Sequence, residues 1–444
     1  MIESVSRILL LSYYFPPIGG AGAQRPANFA RYLHELGHDV VVLTGSGRTG
    51  MTWTPADPTL ERAVPPGVEV IRVPGPEPAP SEGLRNRFER IARRDNDWVR
   101  WWQAGVMRLG ADLQGIDVIH TIMSPFSSAE PSDRLARRLG IGWIADLGDP
   151  WALDEMMVYP TALHRQLEIR RMRRMLGTAA AIVMSTPEAA RQLVDEFPEL
   201  RERRVTAIPN GYDAADFDGA TPPPGSEKFR IVHTGYLHTE AGLRQRDRSF
   251  VRKLVGGGSP GVEILTRSHY FLIEAIERLD PSLRNRLELH LAGVSSDVDR
   301  KLAERSGVAV LHGYMSHAES IALMRGADLL FLPMQRLPPG RRSTTVPGKT
   351  YEYLASGRRI LAAVPPGDAR DLIAASGRGI VCDPDDVDGL ATAIADAMTD
   401  RAEVIHDDGS ALRFSYEQLA GEVASVVAGV VEVSSRPSRV ARTS

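Results

Sequence analysis

Short apolar runs alternate with amphipathic stretches along most of the chain. Arg7–Ser12 is a continuous apolar run, which is typical of a strand buried on both faces of a parallel sheet. Ala23–Leu36 then carries apolar residues at helical spacing, Gly37 ends this helix, and Val40–Leu43 is a second strand. The same alternation predicts further strands at Val68–Val73, Asp117–Thr121, Gly142–Leu147, Ala180–Ser185 and Val205–Pro209.

The alternation restarts in the second half of the chain. Ala214–Lys228 is rich in proline, glycine and small residues, and we place a domain boundary there. Strands that alternate with helices form parallel sheets, so we expect an α/β fold of two tandem Rossmann-like, doubly wound domains, residues 1–215 and 216–410. The strands predicted for the second domain are Phe229–Thr234, Leu287–Ala292, Val308–Leu311, Ala327–Leu332 and Ile360–Val364.

Three segments fall outside this alternation. The polar, glycine-containing stretch 237–267 is predicted to be an insert over the ligand face of the second domain. Residues 411–433 contain a last predicted helix, Tyr416–Val433, which we expect to cross back onto the first domain. Residues 434–444 show no core-forming pattern, and we expect a disordered tail there.

Composition and charge narrow the functional classes. The 444 residues are 43% hydrophobic and 25% charged, as in globular proteins, and the net charge of −3 does not indicate a nucleic-acid partner. The single cysteine, Cys382, cannot form an intrachain disulfide, which fits a reducing cytoplasm. We predict no transmembrane helix, because no apolar run reaches about eighteen residues, and the N-terminal run is too short for a signal peptide.

A glycine-rich loop follows the first predicted strand. It runs from Tyr14 to Gly22 and includes Gly19 and Gly20, whose small size lets backbone N–H groups approach a phosphate. The spacing is not Gly-x-Gly-x-x-Gly, and no acidic residue ends the second strand, so a dinucleotide-dependent dehydrogenase is not favoured. A glycine turn that only closes the unit is the alternative.

Polar residues also follow two later strands of the first domain. His120 lies near the end of one predicted strand, and Asp146 and Asp149 lie at the end of the next. Ligands of open parallel sheets bind outside the carboxyl ends of the strands, so these side chains are candidates for a site. The alternative for His120 is a hydrogen-bonded core residue.

The stretch Thr345–Val364 reads as a loop, a helix and a strand. Pro347 suits the first turn of the helix, and Lys349 and Glu352 share one helical face close to the helix N-terminus. Free N–H groups and partial positive charge at that end suit an anion, so this pair could hold a phosphate and a sugar hydroxyl. A solvated ion pair is the alternative.

Two stretches are strongly basic. Leu84–Arg94 carries five arginines and leads into Trp98, Trp101 and Trp102, and Leu163–Leu176 carries five more arginines. Basic residues beside aromatic ones indicate a surface for anionic lipid head groups, so we expect a cytoplasmic protein with weak association at the inner face of a membrane. An ordinary solvated face is the alternative.

The order of these motifs resembles the retaining glycosyltransferases of family GT4, which have the GT-B architecture. The resemblance covers about residues 5–430, apart from the 237–267 insert. The motifs that carry it are Tyr14–Gly20 with Arg25, Asn210–Asp213 with Phe217, Pro347–Gly357, Asp117–His120, Asp146–Trp151, Gly235, His312-Gly313 and Ala327–Pro333.

The resemblance implies transfer of a sugar from a nucleotide-diphosphate sugar with retention of the anomeric configuration. It implies that the second domain holds this donor and that the first domain holds the acceptor, which could be a glycan, a lipid carrier or a small metabolite. It also implies that no metal or other cofactor is required, because cationic side chains and helix N-termini neutralise the departing diphosphate.

The resemblance also implies roles for single residues. Glu352 matches a family glutamate expected on the ribose, whereas Thr344 stands where the family has a second glutamate, expected on the donor sugar. The residues predicted to bind the donor are Gly19, Gly20, Gly235, Arg267, Pro347, Lys349 and Glu352. Arg244 and Arg246 are alternatives to Arg267 for the phosphate contact. His120 and Asp149 are the predicted catalytic residues.

Other functions fit the same architecture. A nucleotide-sugar 2-epimerase would need carboxylates placed for elimination, and a glycosyl phosphorylase would need a lysine in a pyridoxal-phosphate context. Thr344 makes a non-catalytic nucleotide-sugar binder a third alternative. The sequence leaves the base, the sugar, the acceptor and the oligomeric state open.

Overall fold

Two parallel sheets organise the chain in the computed structural model, which describes residues 5–49, 55–79, 83–92, 95–218, 227–247, 256–400 and 411–435. The first sheet has seven strands in the order β3-β2-β1-β4-β5-β6-β7. The bounds are β1 Arg7–Leu11, β2 Asp39–Thr44, β3 Glu69–Arg72, β4 Val118–Ile122, β5 Gly142–Leu147, β6 Ala181–Met184 and β7 Arg204–Ala207.

The second sheet has six strands in the order β10-β9-β8-β11-β12-β13. Its strands are β8 Phe229–Thr234, β9 Leu287–Ala292, β10 Ala309–Gly313, β11 Leu329–Pro333, β12 Arg359–Ala363 and β13 Gly379–Cys382. All neighbouring strands in both sheets are parallel. The predicted α/β fold of two doubly wound parallel sheets is therefore confirmed.

Helices connect the strands and flank both sheets. In the first half they are α1 Ala21–Glu35, α2 Pro58–Arg62, α3 Gly83–Ala92, α4 Asp97–Gly110, α5 Ala129–Leu139, α6 Ala162–Leu176, α7 Pro187–Glu196 and α8 Ala215–Asp218. Those that follow are α9 Thr239–Arg246, α10 Tyr270–Arg278, α11 Pro281–Arg284, α12 Asp297–Ser306, α13 His317–Arg325, α14 Lys349–Ala355, α15 Asp368–Ala375, α16 Val387–Thr399 and α17 Tyr416–Ser435.

The first strand shows why continuous apolar runs are required. Leu9 and Leu11 pack on one face of the sheet with Trp102 and Trp143, and Ile8 and Leu10 pack on the other face. All four strand residues are fully buried. A strand covered on both faces needs apolar residues at every position, which is the pattern seen in the sequence.

The last helix, α17, belongs by packing to the first sheet. Its residues Leu419, Val423 and Val427 are buried in the same cluster as Ile8 and Leu10 of β1. The return of the chain is fixed by backbone hydrogen bonds in which Tyr212 N–H donates to Phe414 O and Tyr416 N–H donates to Tyr212 O. Residues 219–226, 401–410 and 436–444, which include part of the predicted boundary and most of the predicted tail, lie outside the described residues.

The insert, residues 237–267, contains helix α9 and a segment 256–267 that reaches the first domain. The N–H of Tyr159 donates to Gly257 O at 2.7 Å, and Arg165 Nη1 donates to Ser259 Oγ at 2.9 Å. Residues 248–255 of the insert lie outside the described residues. Among the helices that the structure describes, none has the length and apolar character needed to cross a membrane.

Candidate active site

A cavity of about 460 Å³ opens between the two sheets. Its walls come from the loops after β1, β8, β9 and β11 and from the start of α14, so it lies at the carboxyl ends of strands in both domains. All seven residues predicted to bind a donor line it: Gly19, Gly20, Gly235, Arg267, Pro347, Lys349 and Glu352. Parallel sheets bind ligands at this edge.

The glycine loop after β1 is held in place by the segment that precedes α2. Gly19 N–H donates to Pro55 O at 2.7 Å, and Asp57 N–H donates to Pro17 O at 2.9 Å. A Cβ on Gly19 would overlap the hydroxyl of Tyr314, which comes from the second domain. Gly20 adopts a positive φ of 86°, which favours glycine. The loop therefore brings main chain close to the second domain across the cavity.

Two cationic side chains lie on the second-domain wall. Lys349 Nζ is 3.2 Å from His233 Nε2, and the other ring nitrogen of His233 lies 3.0 Å from Phe331 O. Burial and the charge of Arg267 lower the pKa of Lys349 to about 7. Burial also lowers the pKa of Arg267, although Asp149 and Asp154 oppose this. A bound anion would favour the charged form of both side chains.

Helix α14 begins at Lys349, two residues after the proline predicted for its first turn. Gly348 is its N-cap and Lys349 is its first residue, so the prediction that Pro347 lies in the first turn is wrong. The carbonyl of Pro347 instead accepts a hydrogen bond from Thr350 N–H at 2.9 Å, which fixes the entry of the chain. The predicted helix end is correct, since Gly357 has a φ of 71°.

Glu352 lies in the same cavity beside a histidine that the sequence analysis missed. His317 Nδ1 is 3.7 Å from Glu352 Oε1 and 2.9 Å from Gln24 Nε2, while its Nε2 is 2.9 Å from Asp216 Oδ2. Burial raises the pKa of Glu352, and the charge of His317 opposes this rise. Burial disfavours the charged form of His317, but Asp216, Glu352 and Asp57 outweigh it and raise its pKa to about 9.

Asp57 and Tyr314 were also missed. Asp57 accepts hydrogen bonds from Thr59 N–H at 3.0 Å and from His317 N–H at 2.9 Å, so it joins the starts of α2 and α13 across the cleft. Burial and Asp57 raise the pKa of Tyr314 to about 12. The sequence does contain a signal for the helix start that carries His317, because Ser316 and Glu319 have the spacing of a capping box and form one at the start of α13.

Comparisons with known proteins agree with this geometry. Residues 19–211 match the family described as "Glycosyl transferase 4-like domain", and residues 264–400 match "Glycosyl transferases group 1". The two matches together cover about three quarters of the chain. The chain belongs to glycosyltransferase family 4.

Relatives of this glycosyltransferase span nearly its whole length. A glycogen synthase from Mycobacterium tuberculosis is 25% identical over 417 residues, which are 89% of this chain and 87% of that protein. Among solved structures, a sucrose-phosphate synthase from Thermosynechococcus elongatus superposes with a TM-score of 0.65 at 14% identity, over 96% of this chain and 100% of the other. HepE from Anabaena, solved in complex with UDP and glucose, gives 0.60 at 14% identity, with coverage of 96% and 100%. The structural neighbours share the GT-B fold.

His120 of the glycosyltransferase is fully buried and is not among the residues that line the cavity. Its Nε2 is 2.9 Å from Asp146 Oδ2, and Asp146 also pairs with Arg25 at 3.0 Å. Arg25 in turn donates to Pro209 O at 2.6 Å, next to Asn210 on the cavity wall. Although burial disfavours its charge, Arg25 and His120 hold the pKa of Asp146 below its usual value. The structure thus places His120 in a buried network beneath the site.

Asp149 is likewise absent from the cavity lining and has an exposed side chain. It acts electrostatically on Arg267 and on Asp154, whose pKa is raised to about 7 by burial and by Asp149. Arg267 Nη1 lies 3.3 Å from Gln335 Oε1. Asp149 therefore favours the charged form of Arg267 electrostatically, although it does not line the cavity.

Thr344, which stands in the place of a family glutamate, binds a carboxylate from the other domain. Its Oγ1 donates to Glu155 Oε2 at 2.6 Å, and Ser343 Oγ and Gln335 Nε2 donate to Glu155 Oε1 at 2.6 and 2.8 Å. Glu155 is only 4% exposed. Three hydrogen bonds offset the cost of burying this carboxylate. Because Glu155 belongs to the first domain and its donors to the second, the contact holds the two domains together.

Some arginines of the two basic stretches are paired with carboxylates. Arg85 pairs with Glu89 and Asp97, and Arg171 pairs with Glu130 and Glu168. Two of the tryptophans turn inward, because Trp102 is fully buried and Trp98 donates to Glu77 Oε1 at 2.8 Å. The side chains of Arg87 and Arg90, and both Arg93 and Arg94, lie outside what the structure describes.

The described residues contain no group of three or more His, Cys, Asp or Glu side chains that could hold a metal ion. Arg267 and Lys349 line the cavity and offer positive charge to a phosphate.

Proposed function

We propose that this glycosyltransferase moves a sugar from a nucleoside-diphosphate sugar to an acceptor hydroxyl with retention of the anomeric configuration. The observation that carries the proposal is the cavity between the two sheets, where Arg267 and Lys349 lie on the same wall as Glu352. Two cations suit a diphosphate, and a carboxylate suits the vicinal hydroxyls of a ribose. The second domain, residues 216–410, accordingly holds the donor.

In this proposal, the chemistry at the phosphate is electrostatic. The bond between the anomeric carbon and the diphosphate breaks, the acceptor oxygen bonds to that carbon on the same face, and its proton passes to the departing phosphate. Arg267 and Lys349 stabilise the charge that develops on the leaving diphosphate. This role needs no resident metal and no other cofactor.

The first domain, residues 1–215, is proposed to present the acceptor across the glycine loop. The buried network of His120, Asp146 and Arg25 then positions the wall at Asn210, and Asp149 acts through Arg267. The glycogen synthase relative makes a glucan chain a first acceptor to test, beside lipid-linked sugars and small metabolites.

A panel of nucleotide sugars tests the proposal. Release of nucleoside diphosphate is measured for each donor with each acceptor, starting with UDP-glucose because HepE was solved with UDP and glucose. We expect one donor to be consumed, the anomeric proton coupling of the product to match that of the donor, and the rate to survive a chelator. Tight binding of a donor without turnover, or an inverted product, would contradict the proposal.

We also propose weak attachment at the surface of a membrane facing the cytoplasm. Ile91 and Leu163 are 51% and 64% exposed, and they adjoin because His164 Nε2 lies 2.9 Å from Ile91 O. The exposed Arg170 and Arg174 lie on the same helix as Leu163. We expect flotation with anionic liposomes at low salt and its loss in a Leu163→Ser variant. No flotation of the wild type would remove this proposal.

A further inference from the structure

His317 lies where several segments of the two domains meet. Its main-chain N–H donates to Asp57 Oδ2, its ring Nε2 is 2.9 Å from Asp216 Oδ2, and its Nδ1 faces Gln24 and Glu352. The side chain is only 11% exposed and lines the cavity. The ring is therefore fixed between two carboxylates, one of which is the proposed ribose ligand.

The sequence places His317 at this point through local chemistry. Ser316 is the N-cap of α13 and forms a capping box with Glu319, so His317 is the first residue of the helix. The N–H of a first helical residue has no partner within the helix, and here it takes Asp57 from the first domain. Backbone and ring are thus both restrained.

The charges around the pair favour two ionised partners. His317 is faced by Asp216 from α8, Glu352 from α14 and Asp57 from the start of α2. When the ring is protonated, Nε2–H donates to Asp216 and Nδ1–H is directed at Glu352. The Gln24 amide, whose Nε2 lies 2.9 Å from Nδ1, then turns over so that its oxygen accepts from Nδ1–H.

The ionisation of Glu352 depends on the charged groups around it. It is faced by His317 and Lys349, which favour the carboxylate, and by Asp216, which disfavours it. It is 7% exposed, so in the absence of a nearby cation a carboxyl here is driven toward its neutral form. Lys349 supplies that cation only while it is protonated itself.

We propose that His317 is a positioning residue for Glu352: as an imidazolium anchored by Asp216, it keeps Glu352 ionised and oriented so that its oxygens accept hydrogen bonds from the two hydroxyls of a ribose. This inference rests on the proposed nucleotide-sugar function. Its consequence is that the selectivity for a ribonucleotide over a deoxyribonucleotide is set by a residue that need not touch the ribose.

The first test needs no ligand. The ring signals of His317 are followed by NMR against pH in protein with isotope-labelled histidine, with the assignment taken from a His317→Gln variant. We expect His317 to titrate above pH 8 in the wild type, and at lower pH in both Asp216→Asn and Glu352→Gln. Titration near the ordinary value of about 6.5 in the wild type would overturn the inference.

The second test isolates the ribose. Calorimetry gives the dissociation constants of UDP and 2′-deoxy-UDP at pH 6.5 and 8.5, and their ratio cancels the contribution of the phosphates and of Lys349. We expect the wild type and His317→Lys to keep a similar ratio at both pH values. In His317→Gln the ratio should fall about tenfold at pH 6.5 and recover in part at pH 8.5, where Glu352 ionises without help.

His290→Gln is the matched control, because it makes the same change in a histidine outside the cavity lining. A wild-type ratio in His317→Gln at both pH values would overturn the inference, and so would an equal loss at both, which indicates a packing role alone. If UDP does not bind, the ADP and GDP pairs are used. If no nucleotide binds the wild type, the proposed function fails, while the NMR titration still decides the state of His317.

Discussion

At the scale of single residues, Lys349 should make the affinity of the site for an anion depend on pH. Its pKa is about 7 in the free protein, because burial and Arg267 disfavour the charge. A bound diphosphate raises that pKa, so above pH 7 the complex binds more protons than the free protein. We therefore expect the affinity for a nucleoside diphosphate to fall between pH 7 and 9, by at most about tenfold per pH unit.

Calorimetry at pH 7, 8 and 9 checks this prediction. The window avoids most of the titration of the phosphate itself, whose second pKa is about 6. A Lys349→Met variant is the control, since it should bind weakly and without this slope. A wild-type affinity that stays constant from pH 7 to 9 would contradict the prediction.

The same lysine should reduce stability. A folded-state pKa of about 7 lies below the ordinary value of 10.5, so protonation favours the unfolded chain below pH 10.5, with the full penalty present below pH 7. We expect Lys349→Met to raise the free energy of unfolding by roughly 1–3 kcal/mol at pH 6, and by less at pH 9. Thermal melts at both pH values measure this, and an equal gain at both would argue against a charge effect.

Arg267 and Glu352 should both contribute directly to turnover of the donor. We expect Arg267→Ala and Glu352→Ala each to lower kcat/KM by roughly 30- to 1000-fold, about 2–4 kcal/mol of transition-state stabilisation. Steady-state rates with the donor found in the panel provide the measurement. His290→Ala should stay near the wild-type rate, and wild-type rates in both site variants would show the assignment to be wrong.

The sequence reveals some of these residues and hides others for a physical reason. Lys349 and Glu352 are visible because they share one face at the start of a helix, and Gly19 because it follows a buried strand. His317 and Asp57 are invisible because their contact joins residues of two domains, and no local periodicity encodes it. His120 illustrates the opposite case, since a histidine at a strand end can equally belong to a buried network.

At the scale of elements, the glycines at the ends of β8 and β9 control how closely two loops approach. Gly293 has a φ of 138°, and a Cβ added to it would lie 2.5 Å from Gly235 O. We expect Gly293→Ala to lower the free energy of unfolding by roughly 2–4 kcal/mol, since it adds a backbone clash to the strain of the positive φ. Urea unfolding followed by fluorescence measures the loss.

Gly377→Ala is the matched control for this prediction. Its φ of 67° also favours glycine, but an added Cβ would meet nothing within 4 Å. The control should therefore cost only the backbone strain, roughly 1 kcal/mol. Equal losses in the two variants would show that the approach of the loops does not matter.

Most elements could be predicted, because their signals are local. The strands Gly142–Leu147, Phe229–Thr234 and Leu287–Ala292 have the predicted bounds, since each is a largely apolar run with clear ends. The start of α14 was misplaced because a proline fits both the first turn and the residue before the N-cap. Helix α9 was missed because it lies in a polar segment without an apolar face.

At the scale of the whole molecule, α17 makes the first sheet depend on the end of the chain. It contributes Leu419, Val423 and Val427 to the core around β1. We expect deletion of residues 411–444 to expose this face and to destabilise the first domain while the second stays folded. Hydrogen exchange should show lost protection in β1, β4 and β5 but not in β8 to β13.

Deletion of residues 436–444 alone is the control for this truncation and should leave exchange unchanged. Uniform loss of protection in both sheets after the longer deletion would mean that the domains unfold together. The repeat of strand and helix is enough to predict two sheets. It does not predict how they face each other, because that depends on contacts such as Thr344 with Glu155 and Tyr314 with Asp57.

The contacts of the insert bear on how long a nucleotide stays bound. Gly257 accepts a hydrogen bond from Tyr159 of the first domain, and Ser259 accepts one from Arg165. Arg267 follows in the same segment. Any separation of the sheets has to break these bonds or draw Arg267 away from the helix that carries Lys349. In kinetic terms, the contacts of the insert raise the barrier for opening the cleft, and they therefore lengthen the residence time of a ligand in the cavity.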